Sequence, residues 1–498
     1  MRLTTLADVP VLGMRLATLA RLLELPQPLP LTAAPATMAS TTVPTITAAT
    51  ATTAATAATV APAPAPESLT ALSAPEAITA QSGTPADPLP HPANGTDLVT
   101  VARKGVQYSL EVEAARQRLV SFGFTGDAAR GALLPHADVR VAEGRGRLTS
   151  VDPAVTLPRR EVVTTLRQAL VDEPARHEWS RQRTLAESAR QQLDSAVSSA
   201  LLESSQAFLG AVQAAVSVRL GKEYEALLAE LLRYIGERAA AGGTSKADLE
   251  RVKARVANTR TALADADAAL KVAMRTLVRL TGEAPEALEL GGAGTSFVLP
   301  SDVAAATALA ARSNHDLLAA RVEAKAAIDA RDVQRAKFLP RLELELSHSR
   351  AINSAGTESA TRDTRVMLVM NIPLLNGGTD LAQSRAEVAR FNELTAKASN
   401  VERKLTQDVR SAYDNLDAAD LRFRSIRDEL DANTRVVNAF RAQMVGASRS
   451  LLDVLDAYQR QHQSQLDLTQ ALIGEAQNQL RVAHLTGALE QMLEPTLR

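Results

Sequence analysis

The chain has 498 residues, enough for two or three ordinary domains, and a formal net charge of −1 from 55 basic and 56 acidic residues. That balance, with no basic block, argues against a dedicated nucleic-acid binder. Cysteine is absent, which excludes disulfides, thiolate catalysis, cysteine-ligated zinc and a lipid-modified N-terminal cysteine.

Aromatic residues make up 3% of the chain against 46% apolar, and alanine is abundant. Alanine is the best helix former and lets helices approach closely. The composition therefore predicts a mostly helical protein packed along its helices rather than around one aromatic-rich core. Residues 1–30 have the basic and leucine content of a degenerate signal or targeting segment. Arg15, Arg21 and Glu24 interrupt its apolar stretch, and Met14 and Met38 are alternative starts. Residues 31–96 ("TAATAATVAPAPAP" and similar) have the Thr/Ala/Pro composition of a disordered linker. No run of 18 apolar residues occurs, so no transmembrane helix is expected.

From residue 97 onward the chain repeats itself. "ALLPHADVRV" at 132–141 resembles "KFLPRLELEL" at 337–346, and Pro135 and Pro340 are 205 apart. The same offset relates Ser245 to Ser450, Asp248 to Asp453, Asp97 to Asp302, Arg219 to Arg424, and the "LTG" ending at Gly282 to that ending at Gly487. The reading is a tandem duplication, 97–284 and 302–489, joined by a linker at 285–301 and followed by a tail at 490–498.

Each copy opens with an alanine-rich helical segment, for example 302–339, ended by a proline. In copy two Leu342, Leu344 and Leu346 alternate with Glu343, Glu345 and Ser347, which is a strand with one apolar face. Val366, Leu368, Met370 and Ile372 form a second alternating run, completing a β-hairpin. Copy one is less regular: Ala137, Val139 and Val141 alternate, but Arg140, Arg145 and Arg147 are close by. Residues 379–445 then run for 67 positions without Gly or Pro, and 175–241 is the counterpart. Each would span roughly 100 Å as a helix. Turns are expected at Gly242-Gly243 and at Gly446, followed by returning helices. The segment before each hairpin and the returning helix are each 38 residues long in copy two (302–339 and 449–486). Two such pieces end to end give about 114 Å, so two short helices can flank one long helix and meet near its middle.

This order resembles the TolC-like outer-membrane efflux proteins. "VGASRSLLDVLDA" at 445–457 looks like that family's periplasmic-tip motif, and "FLPRLELELS", "IPLLNGG" and the terminal "LTG" also fit. The resemblance covers about 97–490. It implies a mainly α fold with a small β part. Duplicated long-helix hairpins would form a trimeric α-helical barrel, and four strands per protomer a twelve-stranded β-barrel. It also implies a homotrimer, outer-membrane lipid around the barrel, a periplasmic adaptor and, through the adaptor, an inner-membrane pump. The expected function is export of small molecules or polypeptides, by efflux or type I secretion, with no enzyme activity and no cofactor. Two hairpins cannot close a barrel alone, since about eight strands are the minimum.

Ser450-x-x-Asp453 and Ser245-x-x-Asp248 have the spacing of a capping box, with Asp in place of Glu or Gln. That accounts for Ser450 and Asp453 as a helix start. It leaves Asp456, whose counterpart at the same offset is Arg251. Asp453 and Asp456 share one helix face. Asp456 is either a solvated surface charge or part of a site. The resemblance implies the second: Asp453 and Asp456 line the periplasmic entrance and Arg449 helps hold it shut. Adaptor docking is expected at Gly242, Gly243, Ser245, Gly446, Ser448, Arg449, Ser450 and Leu451. His315, His348, His462 and His484 show no ligand spacing, "GGAGTS" at 291–296 lacks a phosphate-loop lysine, and no nucleophile–base constellation occurs. The rival reading is a structural coiled-coil protein of the same descent with no pore.

Overall fold

The computed structural model describes residues 97–148, 155–285, 288, 299–353, 358–444 and 451–492. The expected targeting segment and linker, most of 285–301, the turn at 445–450 and residues 493–498 lie outside the described residues. In chain order the elements are α1 (Leu98–Tyr108), α2 (Leu110–Gly131), β1 (His136–Leu148), β2 (Val155–Val171), α3 (Glu173–Ala240) and α4 (Lys246–Thr281). Then come α5 (Val303–Ser313), α6 (His315–Ala336), β3 (Arg341–Ile352), β4 (Ala360–Asn371), α7 (Thr379–Met444), α8 (Leu451–Leu485) and a 3-10 turn, Leu489–Met492. The starts of α1 and α5, α2 and α6, β1 and β3, and α4 and α8 all differ by 205.

The long helices run for 68 residues in α3 and 66 in α7, about 100 Å each. Asp172 starts α3 by accepting a hydrogen bond from the Ala175 N–H at 2.9 Å, with a proline in the first turn. The segment expected as one helix over 302–339 is two. Asn314 is in extended backbone (φ −70, ψ 119), and its side chain accepts from the Leu317 N–H at 3.1 Å. That ends α5 and starts α6. Ser109 breaks α1 from α2 in the same way, accepting from the Val112 N–H at 3.3 Å. A single Ser or Asn is tolerated inside a helix, so the alanine-rich flanks concealed both breaks.

Both long helices leave the sheet at the same end, after β2 and after β4, and run parallel. They do not lie directly side by side, as the duplication had suggested. Helices α6 and α8 each pack on both α3 and α7 and fill the space between them. Leu405 and Val409 of α7 meet Leu317 and Leu485 near the junction of α6 and α8. Phe208 and Leu209 of α3 meet Leu472, Ile473 and Leu480 of α8 below it. Farthest from the sheet, Tyr224, Leu228 and Ile235 of α3 share a cluster with Val437, Val454 and Tyr458. Buried Ser188, Ser198, Ser204 and Ser205 on α3 keep side chains short where neighbours approach. This is how a chain so poor in aromatics packs tightly.

Helix α8 ends against the break between α5 and α6. Ser313 Oγ donates to the Thr486 carbonyl at 2.7 Å, and Asn314 Nδ2 donates to the Leu485 carbonyl at 3.3 Å. The chain then turns at Gly487, where φ is +68 and a Cβ would fall 2.9 Å from the Ser313 carbonyl oxygen. The two short helices thus meet end to end beside α3. The His315 ring lies 2.9 Å from the Glu490 carboxylate. The carboxylate beside the ring raises the His315 pKa against the opposing effect of burial.

The strands form one antiparallel sheet in the order β1-β2-β3-β4. The first hairpin, which the sequence makes the less regular, has the longer strands, 13 and 17 residues against 12 and 12. Arg140 points to the opposite face from Val139 and Val141, and Arg145 and Arg147 lie beyond the apolar stretch. None of the three interrupts it. Register puts Leu166, Leu346 and Val366 in one row of one face, with Leu344 and Leu368 in the next. The other face is polar, with Arg167 and Glu345 paired at 3.9 Å.

Gly487→Ala should destabilise the fold by about 1–3 kcal/mol, because it combines a left-handed backbone with a backbone collision. Gly474→Ala in α8, where a Cβ meets nothing within 4 Å, should be neutral or stabilising by up to ~1 kcal/mol. Thermal unfolding of the two variants side by side checks this. Equal effects would refute the role given to the joint.

Candidate functional site at the helical tip

At the end of the helices far from the sheet lie two connections, from α3 to α4 and from α7 to α8. In the first, Gly242 takes φ +75, which only glycine adopts without strain. The Gly243 N–H bonds the Arg238 carbonyl at 2.8 Å and the Gly242 N–H bonds that of Ala239 at 3.2 Å, closing the end of α3. Ser245 caps α4 by accepting from the Ala247 N–H at 3.1 Å. The reciprocal half of the capping box is not made. Asp248 turns instead to Arg251, 3.1 Å away on the next turn. In the second turn, Gly446, Ser448, Arg449 and Ser450 lie outside the described residues. Leu451 is half-buried at the first position of α8.

Asp453 and Asp456 are both exposed on one face of α8. Asp456 pairs with Arg460 of the same helix at 2.9 Å. Both aspartates, with Leu452 and Leu455, form one wall of an open groove of about 600 Å³. Arg251, Ala254, Arg255 and Asn258 of α4 form the opposite wall. Positions 251 and 456 occupy the same place in the two copies, and there the duplicated sequence carries opposite charges that line one groove. The spacing of the repeat identifies both residues. That they face each other follows only from how α4 and α8 pack.

Beneath the groove, the ring of His462 stacks on Tyr224, centroids 4.5 Å apart and 10° from parallel. Sequence reasoning set His462 aside because it lacks ligand spacing. No spacing signal could find it, since its partner lies on another helix. Burial pushes the His462 pKa down and that of Tyr224 up, so both rings are held neutral. Among the described residues no group of three or more His, Asp or Glu side chains could hold a metal ion. No described helix is long and apolar enough to cross a membrane.

Two outcomes are expected at the tip. Ser245→Ala should cost about 0.5–2 kcal/mol of local stability, and Asp248→Ala less, because only the serine caps. Hydrogen exchange over 246–252 reads both. A folded-state histidine pKa below 6.5 contributes stability that is present above that pH and lost as pH falls through the folded value. Protection of 224–235 and 454–458, corrected for intrinsic exchange, should therefore decline on acidification. His462→Gln should flatten the decline, and an unchanged profile in that variant would count against the stack.

The profile of the family described as "Outer membrane efflux protein" matches residues 307–488. Among curated proteins, the outer membrane efflux protein BepC of Brucella suis is 27% identical over 247 residues, 49% of this chain and 54% of that one. The alkaline protease secretion protein AprF of Pseudomonas aeruginosa is 25% identical over 292 residues, 57% and 61% of the two chains. The alignments thus span about half the length of these relatives. Among solved structures, the CmeC outer membrane channel of Campylobacter jejuni superposes with a TM-score of 0.70 at 14% identity. That superposition covers 78% of this chain and 85% of that one, and at such identity the likeness speaks for the fold. Sequence matches, helical duplication and fold agree: the chain is similar to the outer membrane efflux proteins, most directly over its second copy, where the family profile matches.

Proposed function

We propose that three copies of this chain form an outer-membrane channel that passes small molecules or polypeptides from the periplasm to the outside. The observation that carries this is the open sheet. Four strands with edges at β1 and β4 are too few to close, while three copies supply twelve. The apolar face of Leu344, Leu346, Val366 and Leu368 then meets lipid and the polar face lines the lumen. The long helices extend about 100 Å into the periplasm as a tunnel. The names of the relatives, one an efflux protein and one a protease secretion protein, support both cargo classes.

At the tunnel's far end, Asp453 and Asp456 of three chains form two carboxylate rings around the entrance. Arg449 supplies counter-charge, with Arg251 and Arg255 on the facing wall. Rings of carboxylates attract cations into a narrow water-filled space. The two turns, through Gly242, Gly243, Ser245, Gly446, Ser448, Arg449, Ser450 and Leu451, dock a periplasmic adaptor that links the channel to an inner-membrane pump. The chain performs no catalysis and needs no cofactor.

The purified protein should run as a trimer from the outer-membrane fraction and conduct ions in planar bilayers. Asp456→Ala should lower cation selectivity and weaken block by multivalent cations, with folding hardly changed because Asp456 is exposed. A soluble, non-conducting rod of the same helicity would instead support the pore-free coiled-coil reading. If the trimer conducts but Asp456→Ala alters neither selectivity nor block, the aspartate rings are not the gate.

A further inference from the structure

The exposed apolar face of the sheet is not uniform along its length. Starting from the helical end, each strand first presents apolar residues on this face: Val139 and Val141 on β1, Leu166 and Val162 on β2, Leu344 and Leu346 on β3, and Met370, Leu368 and Val366 on β4. Each strand then presents arginine. The residues are Arg145 and Arg147 on β1, Arg160 on β2, Arg350 on β3 and Arg362 on β4, all exposed and all on the apolar face by register. One carboxylate shares this outer half among the described residues, Glu143, which pairs with Arg160 at 2.8 Å. The rows nearest the helices, from Leu342 to Leu346 and across to Met370 and Val366, carry no formal charge.

The position of these arginines moves outward from β3 and β4 through β2 to β1. Arg350 and Arg362 face each other in one row, Arg160 lies in the next row outward and Arg145 and Arg147 farther out still, while Val141 and Val162 carry the apolar residues of β1 and β2 beyond Leu346 and Val366. Strands of a membrane barrel tilt by roughly 35–45°, so such a diagonal becomes a level band. The apolar stretch on β3, Leu342 to Leu346, covers only about 13 Å of strand at ~3.3 Å per residue. That is shorter than the ~25 Å apolar height of a usual barrel. Among the described residues this face carries none of the aromatic side chains that mark the interface in other barrels. The long arginine side chains can bury their stems along the apolar band while their guanidinium groups reach the headgroup layer.

We infer that this arginine band binds the phosphate headgroups of anionic lipid in the outer leaflet, taking the place of the aromatic girdle. The charge of the rim selects the partner: a planar guanidinium pairs with phosphate oxygens in a bidentate manner, and an anionic headgroup lacks the ammonium group that offsets this attraction in a zwitterionic one. The end of the sheet selects the leaflet, because the helices depart from the opposite end. The inference rests on the proposed insertion of the sheet as a barrel.

The test uses the full chain reconstituted in phosphatidylcholine membranes with a minor fraction of spin-labelled phosphatidylglycerol or phosphatidylcholine, measuring the relative association of each lipid with the protein. The parent should prefer phosphatidylglycerol, and raised salt should weaken the preference. Arg350→Gln with Arg362→Gln should reduce it by roughly tenfold, equivalent to about 1.4 kcal/mol. Arg365→Gln, on β4 but on the polar face, should leave it unchanged. An inserted, conducting parent without the preference, or a double variant that keeps it, overturns the lipid assignment while leaving the channel intact. Displacement of the labelled lipid by inorganic phosphate also overturns it, because the rim would then take free anion. A parent that never enters the membrane overturns the barrel reading and this inference with it.

Discussion

The structure depends on one packing problem: a helix about 100 Å long cannot bury its own apolar stripe. Here α3 and α7 share the solution. A second row, α6 above and α8 below, lies between them and offers apolar faces to both. Because that row is two helices rather than one, it has an interior joint with unsatisfied backbone carbonyls. Ser313 and Asn314 satisfy those of Leu485 and Thr486, and the positive φ of Gly487 lets the chains approach. The joint sets where the two short helices meet, and so the reach of each toward the sheet and toward the tip.

Parallel long helices impose a direction on everything attached to them. All four strands are gathered at one end and both turns at the other. At the sheet end, alternation divides side chains into an apolar face and a polar face, and four strands leave two edges whose backbone groups require partners. At the tip the problem is charge rather than hydrogen bonding. Arg251 and Arg255 line one wall of a groove and Asp453 and Asp456 the other, so opposite charges are placed together where helices of the two copies meet.

The duplication makes this economical and also unequal. Caps recur where a helix must start, at Asp97 and Asp302 and at Ser109 and Asn314. Left-handed glycines recur where a returning helix must stop, at Gly282 and Gly487. Backbone demands are identical in the two copies, so these positions stay alike. Side chains on the tip's surface have no such demand, and there 251 and 456 diverged to opposite sign. The sheet diverged too: the first hairpin is longer and carries most of the arginine on the apolar face.

Much was legible in the sequence because it is local or periodic. The run without Gly or Pro at 379–445, the alternation of Leu342, Leu344 and Leu346, and the cap at Ser245 each rest on neighbours within a few positions, and the 205-residue offset is read by laying one copy on the other. From these the duplication, both long helices and the second hairpin could be written down, together with Asp453 and Asp456 on a shared helix face. What required the tertiary structure is whatever joins residues far apart in the chain. The break at Asn314 is visible only against the end of α8, and Arg140 looks disruptive until register assigns it to the other face. His462 has no meaning without Tyr224 on another helix, and the position of Arg251 across a groove from Asp453 and Asp456 follows only from how the helices pack. Local energetics decide which elements form and are written residue by residue. Which faces then meet is decided by the burial of all of them together, and no short stretch of the sequence contains that sum.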